Sequence, residues 1–226
     1  MAAKKLPPKS STATLSLSSV YRTWAWILLV WALYRYFTNF PEAIDEFIFK
    51  PLVFVSPVIW YVLKVEKQKL ATLGLTMRNF FSSVYIGLGF GVVFAVEGLI
   101  THMVKYGKFD VTPIAAFQQY GFFLIILSIA TAFSEELLSR GFVFNRIYEK
   151  TKNLPWAAIL SSLMFMAIHV PILLTSNKLT GVTLILFFVT DFILSLANSL
   201  LYYNTGSLVA PILVHVFWNM TVALYL

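Results

Sequence analysis

Two adjacent carboxylates and an arginine follow directly on an apolar run, and they are the residues best placed to do chemistry. Glu136 and Arg140 are four residues apart, so on a helix they share a face, with the glutamate N-terminal to its partner. Glu135 lies about 100° round the helix from Glu136. The spacing therefore predicts that Glu136 pairs with Arg140 while Glu135 is available for chemistry. The alternative is an interfacial salt bridge at a helix end.

Two of the three histidines lie deep in apolar segments. His169 follows Phe165 by four residues, and Asn219 follows His215 by four, so each pair shares a helix face. A single histidine on an apolar helix is more often a packing group than a catalyst. Two histidines together with intramembrane carboxylates favour a functional site, because ionisable groups cost roughly 2.5 kcal/mol or more each near the centre of a bilayer.

Simple depth estimates allow three of these side chains to meet. At about 1.5 Å per residue, His169 lies roughly 22 Å from the cytoplasmic end of its predicted span, Glu135 roughly 18 Å and His215 roughly 12 Å. We therefore expect them in one layer of the membrane, towards its cytoplasmic side.

This set of groups suits amide hydrolysis. A carboxylate and an imidazole can polarise a water for attack on a carbonyl, either as a general-base pair or by sharing a metal ion. A second imidazole and a carboxamide can donate hydrogen bonds to the oxyanion that forms. The chain has no cysteine, so a thiol nucleophile and a Cys-ligated zinc are excluded, and it has no His-Glu-x-x-His motif.

The elements that position these residues are transmembrane helices. Of the 226 residues, 59% are hydrophobic and 12% are charged, and the mean hydropathy is +0.78, which predicts an all-α polytopic bundle around an intramembrane cavity. We expect a flexible tail over 1–20 and one transmembrane domain over 21–226. Seven spans are predicted: Tyr21–Phe40, Pro51–Val65, Phe80–Val104, Gln119–Ile147, Leu154–Thr175, Leu179–Tyr203 and Ser207–Leu226.

Two connections and one pair of polar residues complete the prediction. Phe40–Lys50 is interpreted as a short acidic connection, and Glu66–Asn79 as either a helix on the membrane surface or a solvated loop. Asp191 and Asn198 share one face of the sixth span. We interpret them as interhelical hydrogen-bonding residues, the alternative being a polar wall of the cavity.

The net charge of +7 reflects basic loops rather than nucleic-acid binding. Basic residues between the spans are more numerous on the N-terminal side, which predicts a cytoplasmic N-terminus. We expect an integral, multi-pass protein of a prokaryotic plasma membrane, with lipids and no nucleic acid among its partners.

The three motifs together resemble the signature of a known family. Glu135-Glu136-x-x-x-Arg140, Phe165-x-x-x-His169 and His215-x-x-x-Asn219 are similar to the motifs of the CAAX protease and bacteriocin-processing (Abi) intramembrane endopeptidases, which are related to the type II CAAX prenyl proteases. The resemblance covers about 121–219.

The resemblance implies a role for each motif residue. Glu135 and His169 would activate water, and His215 and Asn219 would stabilise the oxyanion. Glu136, Arg140 and Phe165 would be supporting residues.

The resemblance leaves the cofactor and the substrate partly open. Family members are described both as metalloproteases and as metal-independent glutamate proteases, so zinc held by Glu135, His169 and His215 is one alternative and no cofactor is the other. The implied substrate is a membrane-associated protein or peptide, prenylated or not. A non-catalytic scaffold on the same fold is a further alternative, as is a proton-coupled transporter with a path through Glu97, Glu135 and Asp191.

Overall fold

The computed structural model describes residues 16–108, 112–176 and 181–225, and every long element in these ranges is a helix. We number seven helices in chain order. They are α1 (Leu17–Phe37), α2 (Glu42–Val65), α3 (Phe80–Tyr106), α4 (112–151), α5 (Leu154–Ser176), α6 (Gly181–Thr205) and α7 (Val209–Tyr225). The predicted all-α bundle is confirmed. Residues 1–15, which make up most of the predicted tail, lie outside the described residues.

The helices make this an integral, multi-pass membrane protein. Five of those described, α2 to α6, are long and apolar enough to cross a bilayer, and α7 contains a shorter apolar stretch at Val209–Ala223. Helix α1 has 21 residues but is not among the five. Its serines and its two arginines, Arg22 and Arg35, lower its hydropathy.

The prediction of a short acidic connection before the second span was wrong. Helix α2 already begins at Glu42 and runs to Val65, with turns of π-helix alternating with α-helix. Asp45, Glu46 and Lys50 are buried within the protein rather than solvated. Each has an oppositely charged partner, which is what allows these charged side chains to lie inside a membrane helix.

Neither interpretation of Glu66–Asn79 holds in full. The segment contains one short 3₁₀ helix, Leu70–Leu73, and Thr72 and Leu73 are buried. Leu73 packs directly against α4, because its carbonyl oxygen would lie only 2.8 Å from a Cβ built on Gly141. The segment is thus a folded part of the protein, not a surface helix and not a solvated loop.

Helix α4 is the centre of the bundle. Its residues 134–148 are all buried, and Leu137–Phe144 form a stretch of π-helix within it. Such a turn widens a helix locally and is frequent at functional sites. Helices α5, α6 and α7 contribute His169, Asn198 and His215 to its polar face.

Helix α3 closes one side of the bundle by packing closely on α7. A Cβ at Gly87 would lie 2.6 Å from Leu213, and one at Gly91 would lie 2.4 Å from Phe217. Glycine at these two positions therefore lets the helices approach, as small residues do in membrane proteins. This contact fixes the helix that carries His215.

Candidate active site

Glu135 lies where the α-helical part of α4 ends, and it is 4% exposed. Its Oε1 accepts a hydrogen bond from Lys50 Nζ at 2.9 Å. Its Oε2 is 3.6 Å from His169 Nε2 and 3.6 Å from His215 Nε2, and it has no hydrogen-bond partner among the described residues. The structure thus brings three of the predicted residues together, from three helices, with one carboxylate oxygen between two imidazoles.

The orientation of His169 is set by its second ring nitrogen. Nδ1 lies 3.1 Å from the carbonyl oxygen of Phe165 and 3.5 Å from Asp191 Oδ2. Both neighbours are acceptors, so we assign the proton to Nδ1, which leaves the lone pair of Nε2 directed at Glu135. The Phe165 ring contacts the imidazole edge-on, with centroids 4.8 Å apart. On the side of Glu135, His169 therefore presents a hydrogen-bond acceptor, its Nε2 lone pair, rather than a donor.

Glu136 is fully buried and joins three helices. Its Oε1 accepts hydrogen bonds from Arg140 Nη1 at 3.1 Å, Asn198 Nδ2 at 2.9 Å and His215 Nδ1 at 2.7 Å. The Arg140 guanidinium also lies over the Phe165 ring, 4.4 Å from its centroid. The predicted pairing of Glu136 with Arg140, with Glu135 outside it, is what the structure has.

Asn219 lies one turn beyond His215 on α7. Its Nδ2 is buried and makes no hydrogen bond to the described residues. Among the described residues, no hydrogen bond joins Asn219 to Glu135, His169 or His215, so its predicted place beside them stays a prediction.

Sequence reasoning missed Lys50 and underestimated Asp191 and Asn198. Asp191 faces His169 and Asn198 donates to Glu136, so both belong to the polar wall of the site as well as bridging helices. The sequence pattern places Lys50 at the end of the predicted connection Phe40–Lys50. The signal that could have found it is Glu46 four residues before it, an ion pair in the favoured order just ahead of an apolar run.

A small cavity of about 40 Å³ adjoins these groups. A water molecule needs roughly 10–15 Å³, so the cavity has room for at least one. The residues that line it are Trp31, Lys50, Phe54, Glu135, Ile168, His169 and Ile172. The lining thus combines the polar side chains of Lys50, Glu135 and His169 with four apolar or aromatic ones.

The candidate zinc ligands, Glu135, His169 and His215, do not fit a metal site as they stand. No three His, Asp or Glu side chains of the described residues are arranged to hold a metal ion. Glu135 Oε1 bonds to the Lys50 ammonium and His215 Nδ1 bonds to Glu136, which leaves Glu135 Oε2 and the Nε2 atoms of His169 and His215 as the candidate donors, with each Nε2 3.6 Å from Oε2. As placed, these side chains do not make a three-ligand site.

Residues 117–221 match the family model described as Rce1-like, type II CAAX prenyl endopeptidase. This part of the chain is similar to that family. The Rce1-like segment includes all three sequence motifs and the helices that carry Glu135, His169 and His215, so the resemblance seen in the sequence is confirmed. Lys50 lies outside it, on α2. Comparisons with curated proteins and with solved structures gave no match.

Proposed function

We propose that this protein is an intramembrane endopeptidase that hydrolyses a peptide bond in a membrane-associated protein or peptide. The observation that carries the proposal is the unpartnered Oε2 of Glu135, at 3.6 Å from the Nε2 atoms of both histidines. The match of residues 117–221 to the Rce1-like family model supports the same class of reaction.

The first step is activation of water by Glu135 and His169. Oε2 and the Nε2 lone pair are two acceptors 3.6 Å apart. A water about 2.8 Å from each would direct its two hydrogens at them with an angle of roughly 80°. The water oxygen then attacks the scissile carbonyl carbon while Glu135 takes one proton as general base.

The second step is stabilisation and collapse of the tetrahedral intermediate. His215, with both ring nitrogens protonated, donates Nε2–H to the oxyanion while Nδ1–H stays bonded to Glu136. Asn219 Nδ2 supplies the second donor. The C–N bond breaks as Glu135 returns its proton to the leaving nitrogen. The products are a new carboxylic acid, which keeps the second proton of the water until it ionises, and a new amine.

The substrate follows from the membrane setting and the family. A buried site between transmembrane helices suits a chain held at the bilayer by a lipid or an apolar segment. We propose a C-terminal Cys-aliphatic-aliphatic-X sequence as the substrate class, with a prenyl group on the cysteine as its anchor. With the N-terminus cytoplasmic, the site would lean to the cytoplasmic side, where such substrates are displayed.

The experiment is a cleavage assay with purified protein in lipid nanodiscs. Farnesylated and unmodified Cys-aliphatic-aliphatic-X peptides are incubated with the wild type, Glu135→Gln and His169→Gln, and products are identified by mass spectrometry. We expect cleavage by the wild type and a loss of about 10²-fold or more in each variant. The matched control is Glu42→Gln, at an exposed position of α2. Full activity in a folded Glu135→Gln or His169→Gln protein would refute the proposed mechanism.

The same assay separates the substrate question from the reaction. Cleavage of the farnesylated peptide alone would establish the prenyl group as part of recognition. Equal cleavage of both peptides would refute the prenyl anchor and leave the hydrolysis standing. No cleavage of either would contradict the proposed function.

A further inference from the structure

We infer that Lys50 is a positioning residue for the active site, whose ammonium holds Glu135 Oε1 so that Oε2 stays directed at the two imidazoles. The inference rests on the proposed function and extends it to α2, outside the Rce1-like segment. It assigns a role to a lysine that the sequence motifs do not include.

Four side chains form a closed arrangement between α2 and α4. On α2, Lys50 Nζ donates to Glu46 Oε1 at 2.6 Å, four residues before it. Across the interface the same nitrogen donates to Glu135 Oε1 at 2.9 Å. Thr131, four residues before Glu135, donates to the other oxygen of Glu46 at 2.7 Å. The ammonium is therefore held from both helices and cannot move without breaking two bonds.

This arrangement leaves the two oxygens of Glu135 with different roles. Oε1 is fixed by the ammonium, whereas Oε2 has no hydrogen-bond partner in the described parts of the chain and faces His169 and His215. Among the hydrogen bonds of the described chain, the one from Lys50 is what reaches this carboxylate. Without it the carboxylate is free to rotate, and the water between Oε2 and His169 loses one of its two fixed acceptors.

Lys50 is well placed for this role and poorly placed for a surface role. It is 5% exposed and lines the same cavity as Glu135 and His169. Its ammonium lies 5.8 Å from the Trp31 ring centroid, which gives its remaining side an aromatic neighbour. Removing this ammonium would leave the carboxylates of Glu46 and Glu135 buried without the cation that pairs with both.

The structure offers a matched control, a second buried ion pair that includes a residue of α2. Arg35 on α1 pairs with Asp45 on α2, and Asp45 is also buried. Arg35→Met therefore breaks a buried ion pair that joins α2 to a neighbouring helix but does not touch Glu135. A loss of activity caused only by loosening α2 would be the same in Arg35→Met and Lys50→Met.

The kinetic test compares Lys50→Met, Lys50→Arg and Arg35→Met with the wild type in the nanodisc assay. We expect Lys50→Met to lower kcat by about 10- to 100-fold with KM within about threefold, because substrate binding is untouched while the base is misaligned. Lys50→Arg should recover part of kcat, since a guanidinium still donates to both carboxylates. The folded fraction of Arg35→Met should have the kcat of the wild type.

A second readout does not depend on cleavage. Melting temperatures of the wild type, Lys50→Met, Glu135→Gln and the double variant form a thermodynamic cycle. If Lys50 and Glu135 interact, the melting temperature of the double variant should fall by less than the sum of the falls in the two single variants. The reason is that Glu135→Gln removes the carboxylate that Lys50→Met leaves unpaired. Additive losses would overturn the inference.

The outcomes separate the inference from the proposed function. An active wild type with an unchanged kcat in Lys50→Met overturns the inference alone. Equal losses of kcat in Lys50→Met and Arg35→Met also overturn it, because the effect would then be structural. An inactive wild type overturns the proposed function, and the positioning role of Lys50 falls with it.

Discussion

Replacing the two adjacent glutamates should have different effects: loss of Glu136 should lower stability, and loss of Glu135 should abolish cleavage. Glu136 is fully buried and accepts three hydrogen bonds, from Arg140, Asn198 and His215. Glu136→Ala removes the acceptor from all three and leaves the buried guanidinium without its closest carboxylate. Removing one partner of a buried ion pair costs about 3–5 kcal/mol.

Glu135→Ala should cost less stability. Glu135 accepts one hydrogen bond from Lys50, and Lys50 keeps Glu46 as a partner at 2.6 Å. The expected loss is about 2 kcal/mol, the size of one hydrogen bond to a charged group. Glu135→Ala should therefore be a folded protein without cleavage, and Glu136→Ala a protein that unfolds early.

The assay is thermal unfolding in detergent. The chain has no cysteine, so a thiol-reactive dye cannot report unfolding, but its 6 tryptophans can. We expect the melting temperature of Glu136→Ala to fall by roughly 10 °C, with Glu135→Ala falling less and the exposed control Glu42→Ala unchanged. The reasoning is refuted if Glu136→Ala melts with the wild type, or if Glu135→Ala is the less stable of the two.

Three further results are expected. Asp191→Asn should lower kcat about tenfold and leave the fold intact, since the carboxylate 3.5 Å from His169 Nδ1 helps to hold that ring; an unchanged kcat would contradict this. Gly141→Ala should lose about 1–3 kcal/mol in denaturation, because its Cβ would lie 2.8 Å from the Leu73 carbonyl oxygen, whereas Gly89→Ala, with open space around it, should lose none. Treatment with a chelator should leave cleavage intact, given that the described donors do not form a three-ligand site; loss of activity that added zinc restores would contradict that.

The parts of the site that lie on one helix could be predicted from the sequence. The pairing of Glu136 with Arg140 follows from their spacing, and so does the separate direction of Glu135. The meeting of Glu135, His169 and His215 agrees with the depth estimates, because rise per residue and span boundaries fix depth well enough. The roles assigned to these residues stay predictions.

The parts that depend on packing between distant helices could not be predicted. Lys50 was assigned to a connection because charged residues near an apolar run usually mark its end, and the partner that buries Lys50 is 85 residues away. The contact between Asp191 and His169 could not be predicted either, because it depends on how α6 packs on α5. The 3₁₀ turn at Leu70–Leu73 is fixed by contact with α4, not by local pattern.

The most direct test of the account is the single-turnover rate of peptide cleavage by Glu135→Gln. This substitution keeps the size of the side chain and an acceptor for Lys50, and it removes the basicity of Oε2. The account predicts a folded protein that binds the farnesylated peptide as the wild type does and cleaves it at least about 10²-fold more slowly. Cleavage at the wild-type rate would contradict the claim that Glu135 activates the water.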